Sequence, residues 1–144
     1  MKKIKHPSVA KLKKKAWKVF SEYIRRKSAD KDGMSECVTC GTKSHWKKLQ
    51  AGHFIPGRSA EVLFDEDGVN PQCYVCNCIL GGNWTAYYLL LRARHGREFV
   101  ERMIESRTRT GKWTVESLEE IHMKYKSKLK ELDEKESKNK KTNK

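Results

Sequence analysis

The sequence predicts a small α+β domain in which a metal-centred pair of strands is set among helices. Three observations predict it. Apolar residues recur at three- and four-residue steps toward both ends of the chain. Two C-x-x-C pairs, Cys37-Val38-Thr39-Cys40 and Cys73-Tyr74-Val75-Cys76, enclose 32 residues. Around and between these pairs the texture changes to glycines, prolines and short apolar runs. With 144 residues the chain is long enough for one ordinary domain and too short for two.

The first helix is expected over 8–27, starting at Pro7-Ser8. Val9, Leu12, Ala16, Phe20 and Tyr23/Ile24 form its apolar stripe. The remaining surface carries Lys11, Lys13, Lys14, Lys15, Lys18, Arg25, Arg26 and Lys27 against the single Glu22. Such a face either stays solvated or tracks phosphates, and the excess of one sign favours phosphates. Residues 28–34 read as a loop. Strands are expected over 48–55 and 69–74. Asn83 reads as the N-cap of a helix that runs through Trp84, Tyr87, Leu90 and Leu91 and stops at Gly96. Phe99, Val100, Met103 and Ile104 mark another helix. A last one starts at Thr114 and turns Leu118, Ile121, Tyr125, Leu129 and Leu132 inward. Residues 135–144 contain no apolar side chain and are expected to form a disordered basic tail. The organisation is thus a single domain over 1–134, with the basic helix at 8–27, the metal-centred core at 37–81 and helices at 83–134.

Lys and Arg total 32 and Asp and Glu 18, a formal charge of +14. Apolar residues make up 37% and charged residues 35%, so the core is thin and needs support from a metal, a staple or a partner. There is no apolar run long enough for a membrane span. The charged start is followed by no apolar stretch, which argues against a secretory signal. A cytoplasmic protein with an anionic partner is expected, and nucleic acid is the commonest such partner.

Each C-x-x-C pair can grip one metal with two thiolates, and two pairs complete the tetrahedral sulfur site that zinc prefers. The alternatives are two disulfides, disfavoured in a reducing compartment, or redox motifs, which lack the surrounding βαβ pattern. Structural Zn2+ on Cys37, Cys40, Cys73 and Cys76 is therefore expected, with Gly41 allowing the tight turn around sulfur. Four thiolates leave no open position, so this metal pins strands and does no chemistry. Cys78 is left over as a spare thiol, buried or half-buried.

The loop between the pairs holds more than a clip needs. It contains Gln50-Ala51-Gly52-His53-Phe54-Ile55-Pro56-Gly57-Arg58 and Phe64-Asp65-Glu66-Asp67-Gly68-Val69-Asn70, and Asn77 directly follows Cys76. A C-x-x-C pair, a strand bearing His, a second strand and C-x-x-C-N resembles the HNH (His-Me finger, ββα-metal) nucleases, including the zinc-stapled kind similar to phage endonuclease VII. A closer resemblance is to the lambda NinG family, also called Rap. It is carried by residues 17–25 (WKVFSEYIR), Cys37 to Gly41, Leu49 to Phe54, Phe64 to Asp67, Gln72-Cys73 through Cys76-Asn77, and Gly82-Asn83 with Tyr87.

This resemblance implies a zinc-stapled ββα-metal unit surrounded by helices. It implies a phage recombination endonuclease that cleaves branched DNA such as Holliday junctions in the cytoplasm of a bacterial host. His53 would be the general base. Asn77, at the start of the helix of the unit, would hold a catalytic Mg2+, with Mn2+ a substitute. Two features depart from the wider HNH pattern. Gly52 stands where a metal-binding Asp or His usually precedes the histidine, a glycine that the NinG family shares. Gly68 stands at the position of the central Asn, with Asn70 two residues later. Asp65, Glu66 and Asp67 are candidates for the second ligand, or an ordinary acidic turn. Arg58, Lys14, Lys18 and Arg25 are the candidate phosphate contacts. Trp84, Tyr87 and Tyr88 either stack on bases or belong to the core, and their helical spacing favours core. His45, His95 and His122 carry no motif. Paired cuts require two active sites, so a homodimer is expected, with an interface near Leu90, Met103 and Leu118. The competing functions are a sequence-preferring HNH nicking enzyme and a non-catalytic zinc DNA-binding module.

Overall fold

Ser8 starts the first helix as its sequence position predicts: its hydroxyl accepts the Lys11 amide at 3.2 Å. The computed structural model describes residues 2, 5, 7–57 and 59–143. In chain order the elements are α1 (Val9–Arg26), β1 (Met34–Glu36), β2 (Lys43–His45), β3 (Gln50–His53), β4 (Val69–Gln72), α2 (Trp84–His95), α3 (Arg97–Ser106) and α4 (Val115–Thr142). A 3-10 turn over Trp46–Lys48 leads into β3, and a π-helical turn over Val75–Ile79 follows β4. The architecture is mixed, with helices around two small two-stranded sheets.

The hairpin β1–β2 was not legible in the sequence, because three-residue strands carry no hydrophobic alternation. It pairs Met34 with His45 and Glu36 with Lys43, and its connection holds Cys37 and Cys40. Strands β3 and β4 are antiparallel, with Gln50 opposite Gln72, Gly52 opposite Asn70 and His53 opposite Val69. Both are shorter than the expected runs. The chain leaves β4 at Cys73 to turn around sulfur, and the helix expected next is one π turn, with regular α-helix resuming only at Trp84. Asn83 occupies the N-cap position, but it adopts a left-handed conformation (φ 47°) and makes no side-chain cap. Its amide is directed instead to the Cys76 sulfur at 3.5 Å.

The core has three parts. Leu12 and Ala16 of α1 pack on Leu118 of α4. Phe20 and Ile24 meet Val69 and Tyr125. Phe54 and Ile55 join Tyr87, Leu91, Val100 and Met103. Fully burying Phe20, Ile24 or Leu118 contributes roughly 1.5–3 kcal/mol each. Thr114 and Ser117 form the reciprocal cap of α4, at 3.1 and 2.9 Å. Met103 and Leu118 lie inside the chain's own core, so they cannot supply the subunit contact expected there.

Two further expectations are corrected. Helix α4 continues through Thr142 in place of a tail beginning at 135. The second concerns Arg26, expected on the phosphate-tracking face. Its guanidinium is buried and bonds Glu22 at 3.2 Å, Asp133 at 2.7 Å and Glu136 at 2.9 Å. Those carboxylates tie the polar end of α4 to α1.

Glu66 provides a second tie. It accepts hydrogen bonds from the Tyr125 hydroxyl at 2.8 Å and the Lys128 ammonium at 2.9 Å. Burial raises its carboxyl, but these donors outweigh burial and hold it below its ordinary value of 4.5. A lowered folded value means that the stabilisation is complete above the ordinary carboxylate range. It is then lost as pH falls through the folded value. Glu66→Gln is therefore expected to reduce stability at neutral pH, with the gap to wild type closing on acidification. A gap in urea midpoint that stays constant with pH would contradict this.

Candidate functional site

The hairpin turn and the turn after β4 bring four cysteines together. The sulfurs of Cys37, Cys40, Cys73 and Cys76 all lie within 4.8 Å of one another. Cys40 and Cys73 are 3.8 Å apart, far beyond a disulfide bond. That separation matches the edge of a tetrahedron with zinc–sulfur bonds of about 2.3 Å. Gly41 makes the first turn with φ 76°, and its amide reaches the Cys37 carbonyl at 2.8 Å. The Val38 amide reaches the Pro71 carbonyl at 2.8 Å, joining this turn to β4. The Cys76 amide points at the Cys73 sulfur at 3.4 Å, and the Thr42 hydroxyl lies 3.2 Å from the Cys40 sulfur. Burial opposes a thiolate at Cys37, but the Thr39 hydroxyl and nearby backbone amides outweigh it and bring the thiol down to about 6. At Cys73 the Cys76 amide favours the thiolate, yet burial and the three neighbouring thiols push it up to about 12. The cluster could hold a metal ion such as zinc.

Beside it lies a cleft of about 470 Å³ between α1 and β3, lined among others by Trp17, Ser21, Arg25, Gln50, His53 and Asn77. His53, the last residue of β3, stacks on Trp17 with centroids 4.7 Å apart and planes 19° apart. Asn77 sits in the π turn, one residue beyond Cys76, and its backbone amide bonds the Cys73 carbonyl at 2.9 Å. Its side-chain amide donates to Gln50 Oε1 at 2.7 Å. That contact holds the Asn77 side chain against β3. The cleft thus brings together His53, Asn77 and Arg25, three of the candidates read from sequence.

Gly52 has a packing explanation. A Cβ there would run into Gln72 Oε1 and lie 2.6 Å from Gln72 Cδ. Gln72 is fully buried and cannot easily yield, since it donates to Thr39 Oγ1 at 3.1 Å and to the Gly82 carbonyl at 2.9 Å. Gly68 is similar, with Met103 Cε occupying the space of its side chain. Asn70 is buried and donates to the Tyr87 hydroxyl at 3.1 Å, and Tyr87 donates to the Gly52 carbonyl at 2.8 Å. Burial keeps the Tyr87 hydroxyl protonated, raising it well above its usual value. Asn70 therefore braces the backbone next to His53 through Tyr87. Gly52→Ala is expected to cost about 1–3 kcal/mol in chemical denaturation, with loss of metal from the adjacent cysteines. Unchanged stability would show that Gln72 can move aside.

Other candidates lie elsewhere. Asp65, Glu66 and Asp67 do not line the cleft. Glu66 is engaged with Tyr125 and Lys128, and Asp65 accepts the Asp67 amide at 2.9 Å and lines a separate depression beside Trp113. Lys14 and Lys18 are exposed on α1, outside the cleft lining. Arg58 lies outside the described residues. Cys78 is exposed rather than buried, and its thiol donates to Gln50 Oε1 at 3.2 Å. Tyr87 belongs to the core, whereas Trp84 is about half exposed and stacks on Phe54 with centroids 5.3 Å apart. Sequence reasoning missed Gln50, Gln72 and Trp17 as parts of the site. Their roles depend on cross-strand register and helix docking, which leave no local signal.

These features define a class: a mixed helix-and-hairpin protein with a four-cysteine cluster able to hold a metal, next to a cleft containing His, Asn and Arg. The chain belongs to the NinG family, since the family model described as Bacteriophage Lambda NinG protein matches residues 1–136. It is similar to Protein ninG of Escherichia phage 933W, 37% identical over 122 residues that cover 83% of this chain and 57% of that protein. Protein ninG of Escherichia phage lambda and that of Salmonella phage P22 are each 34% identical over 122 residues, covering 83% of this chain and 56% of theirs. The chain therefore spans little more than half the length of these curated relatives. No solved structure matches it significantly. Among the described residues no helix is long and apolar enough to cross a membrane.

Proposed function

We propose that this chain is a metal-dependent, structure-selective DNA endonuclease of the HNH type, acting on branched DNA such as Holliday junctions. The observation that supports this reading most is the meeting of His53, Asn77 and Arg25 in one cleft of a protein carrying +14. His53 accepts a proton from the attacking water, its ring plane fixed by Trp17. Asn77 is a suitable hard donor, but among the described residues no carboxylate lines the cleft, so a cation there would have to be held mainly by water and by the phosphate oxygens of the substrate. Bound there, Mg2+ would neutralise charge on the phosphate and the leaving 3′ oxygen. Zinc on the four cysteines would aim Asn77, because Cys76 is its chain neighbour. The ββα motif would here end in a π turn, a local geometry often found at functional sites.

Exposed lysines on α1 would hold duplex arms through phosphates without reading bases, and junction preference would come from arm geometry. A homodimer belongs to this reading, because paired cuts need two sites. The test is cleavage of a four-way junction, with and without Mg2+, beside its linear arms. Metal-dependent cleavage confined to the junction supports the proposal. Equal cleavage of the arms would point to a nicking enzyme, and binding without cleavage in any divalent metal to a non-catalytic module.

A further inference from the structure

Arg25 and Arg26 are adjacent in sequence and opposite in circumstance. Arg26 is neutralised by three carboxylates. Arg25 forms no ion pair among the described residues, although it is half-buried. Its Nε donates to the Ser21 carbonyl at 3.1 Å, one turn back on α1. Its guanidinium carbon lies 5.3 Å from the centre of the Trp46 ring. Burial lowers its proton affinity and Glu22 only partly offsets that, since the Glu22 carboxylate bonds Arg26. A guanidinium stays protonated under such a shift. The result is a fixed, partly desolvated cation without a bound carboxylate, on the wall of the cleft that holds His53 and Asn77.

We propose that Arg25 is a catalytic residue that binds the non-bridging oxygens of the scissile phosphate, rather than one more exposed cation tracking the DNA backbone. The inference rests on the nuclease reading above. Three features argue for it. The Ser21 carbonyl takes Nε, and the Trp46 ring, which also lies 5.2 Å from the Arg26 guanidinium carbon, sits beside the group, so the Nη nitrogens are the donors left to meet a ligand. A fork held in this way is preorganised for two parallel hydrogen bonds to a phosphate. Charge on the phosphoryl oxygens grows as the water attacks, and a fixed cation stabilises that growth more than it stabilises the bound ground state. The same geometry explains the contrast with Arg26: one arginine of the pair fastens α4, and its neighbour is left for substrate.

The experiment compares full-length wild type with Arg25→Gln, Arg25→Lys and Arg25→Ala. Lys130→Gln, which removes an exposed charge from α4, serves as the control. Single-turnover cleavage of a four-way junction is measured at saturating protein, junction affinity at several salt concentrations, and zinc content and circular dichroism for each variant. Arg25→Gln is expected to slow cleavage by about 10²–10³-fold with a much smaller loss of affinity. Arg25→Lys should recover only part of the rate, because a point charge cannot fork. Added guanidinium should raise the rate of Arg25→Ala and not that of Lys130→Gln. A folded, zinc-replete Arg25→Gln that cleaves like Lys130→Gln would overturn the inference, as would an Arg25→Ala indifferent to guanidinium. A second measurement does not depend on turnover. The Arg25 Nε–H resonance of the wild type should shift saturably on titration with dimethyl phosphate. No shift overturns the role of Arg25 even if the protein cleaves DNA. A saturable shift in a protein that cuts nothing would refute the nuclease reading instead, leaving a phosphate-binding cleft.

Discussion

Replacing His53 with Ala is expected to lower junction cleavage by about 10²–10⁴-fold while leaving junction affinity within a few-fold of wild type. The two effects separate because they arise from different parts of the molecule. On the proposed reading, affinity for DNA would come mainly from the exposed cations of α1, which the substitution leaves in place. Proton transfer needs a group of near-neutral basicity held beside the attacking water, and His53 is the only histidine lining the cleft among the described residues. Its position is set from two sides, by the stack on Trp17 and by the β3–β4 register that puts it opposite Val69. Alanine removes the imidazole and leaves the strand backbone, with its Asn70–Tyr87–Gly52 brace, unchanged. Cleavage at the wild-type rate in a variant free of contaminating nuclease would remove His53 from the mechanism.

Stripping metal from the four cysteines is expected to melt the segment from β1 to the π turn while the packing of α1 on α4 persists. Leu12, Ala16 and Leu118 bury one another without help from the sulfurs. By contrast, β1 and β2 have three residues each, and Gln72, Thr39 and Gly82 meet only where the two cysteine turns meet. Structural zinc sites of this kind carry an apparent binding free energy of about 10–16 kcal/mol at neutral pH, drawn from folding itself. The signature is loss of amide protection over residues 34–53 and 69–83 after chelation, restored by zinc. Amide exchange there that ignores chelation would refute the staple. Metal binding should also release protons and tighten as pH rises, because ligation needs thiolates and the Cys73 thiol is held up to about 12 by burial and its sulfur neighbours.

Much of this was readable from local pattern. Repeats of three and four placed α1 and α4 to within a residue or two at their starts, and Ser8 and Thr114 announced their caps. Gly96 ended α2 where expected, with φ 89°. The cysteine spacing predicted a cluster because two short bites by the chain are a local event, and only their meeting is tertiary. Residues whose meaning depends on a distant partner were read less well. Arg26 looked like one cation among eight until Asp133 and Glu136 were brought to it. The same contacts hold Glu136, the second residue of the expected tail, against α1. Gly52 and Gly68 looked like losses from a catalytic pattern, and packing shows the space of each missing side chain filled by Gln72 or Met103.

Chain-local chemistry therefore settled which residues could act: thiols at metal-ligand spacing, one histidine in a strand, one asparagine beside a cysteine, and a surplus of positive charge. Folding decided which of them meet. Docking α1 against β3 put Arg25 and Trp17 into the same cleft as His53, and the cysteine turns carried Asn77 to its wall. It also left the acidic triplet outside the cleft lining. The physical reason is that periodicity and spacing report on neighbours along the backbone, whereas a cleft is made by surfaces whose contacts are separated by tens of residues.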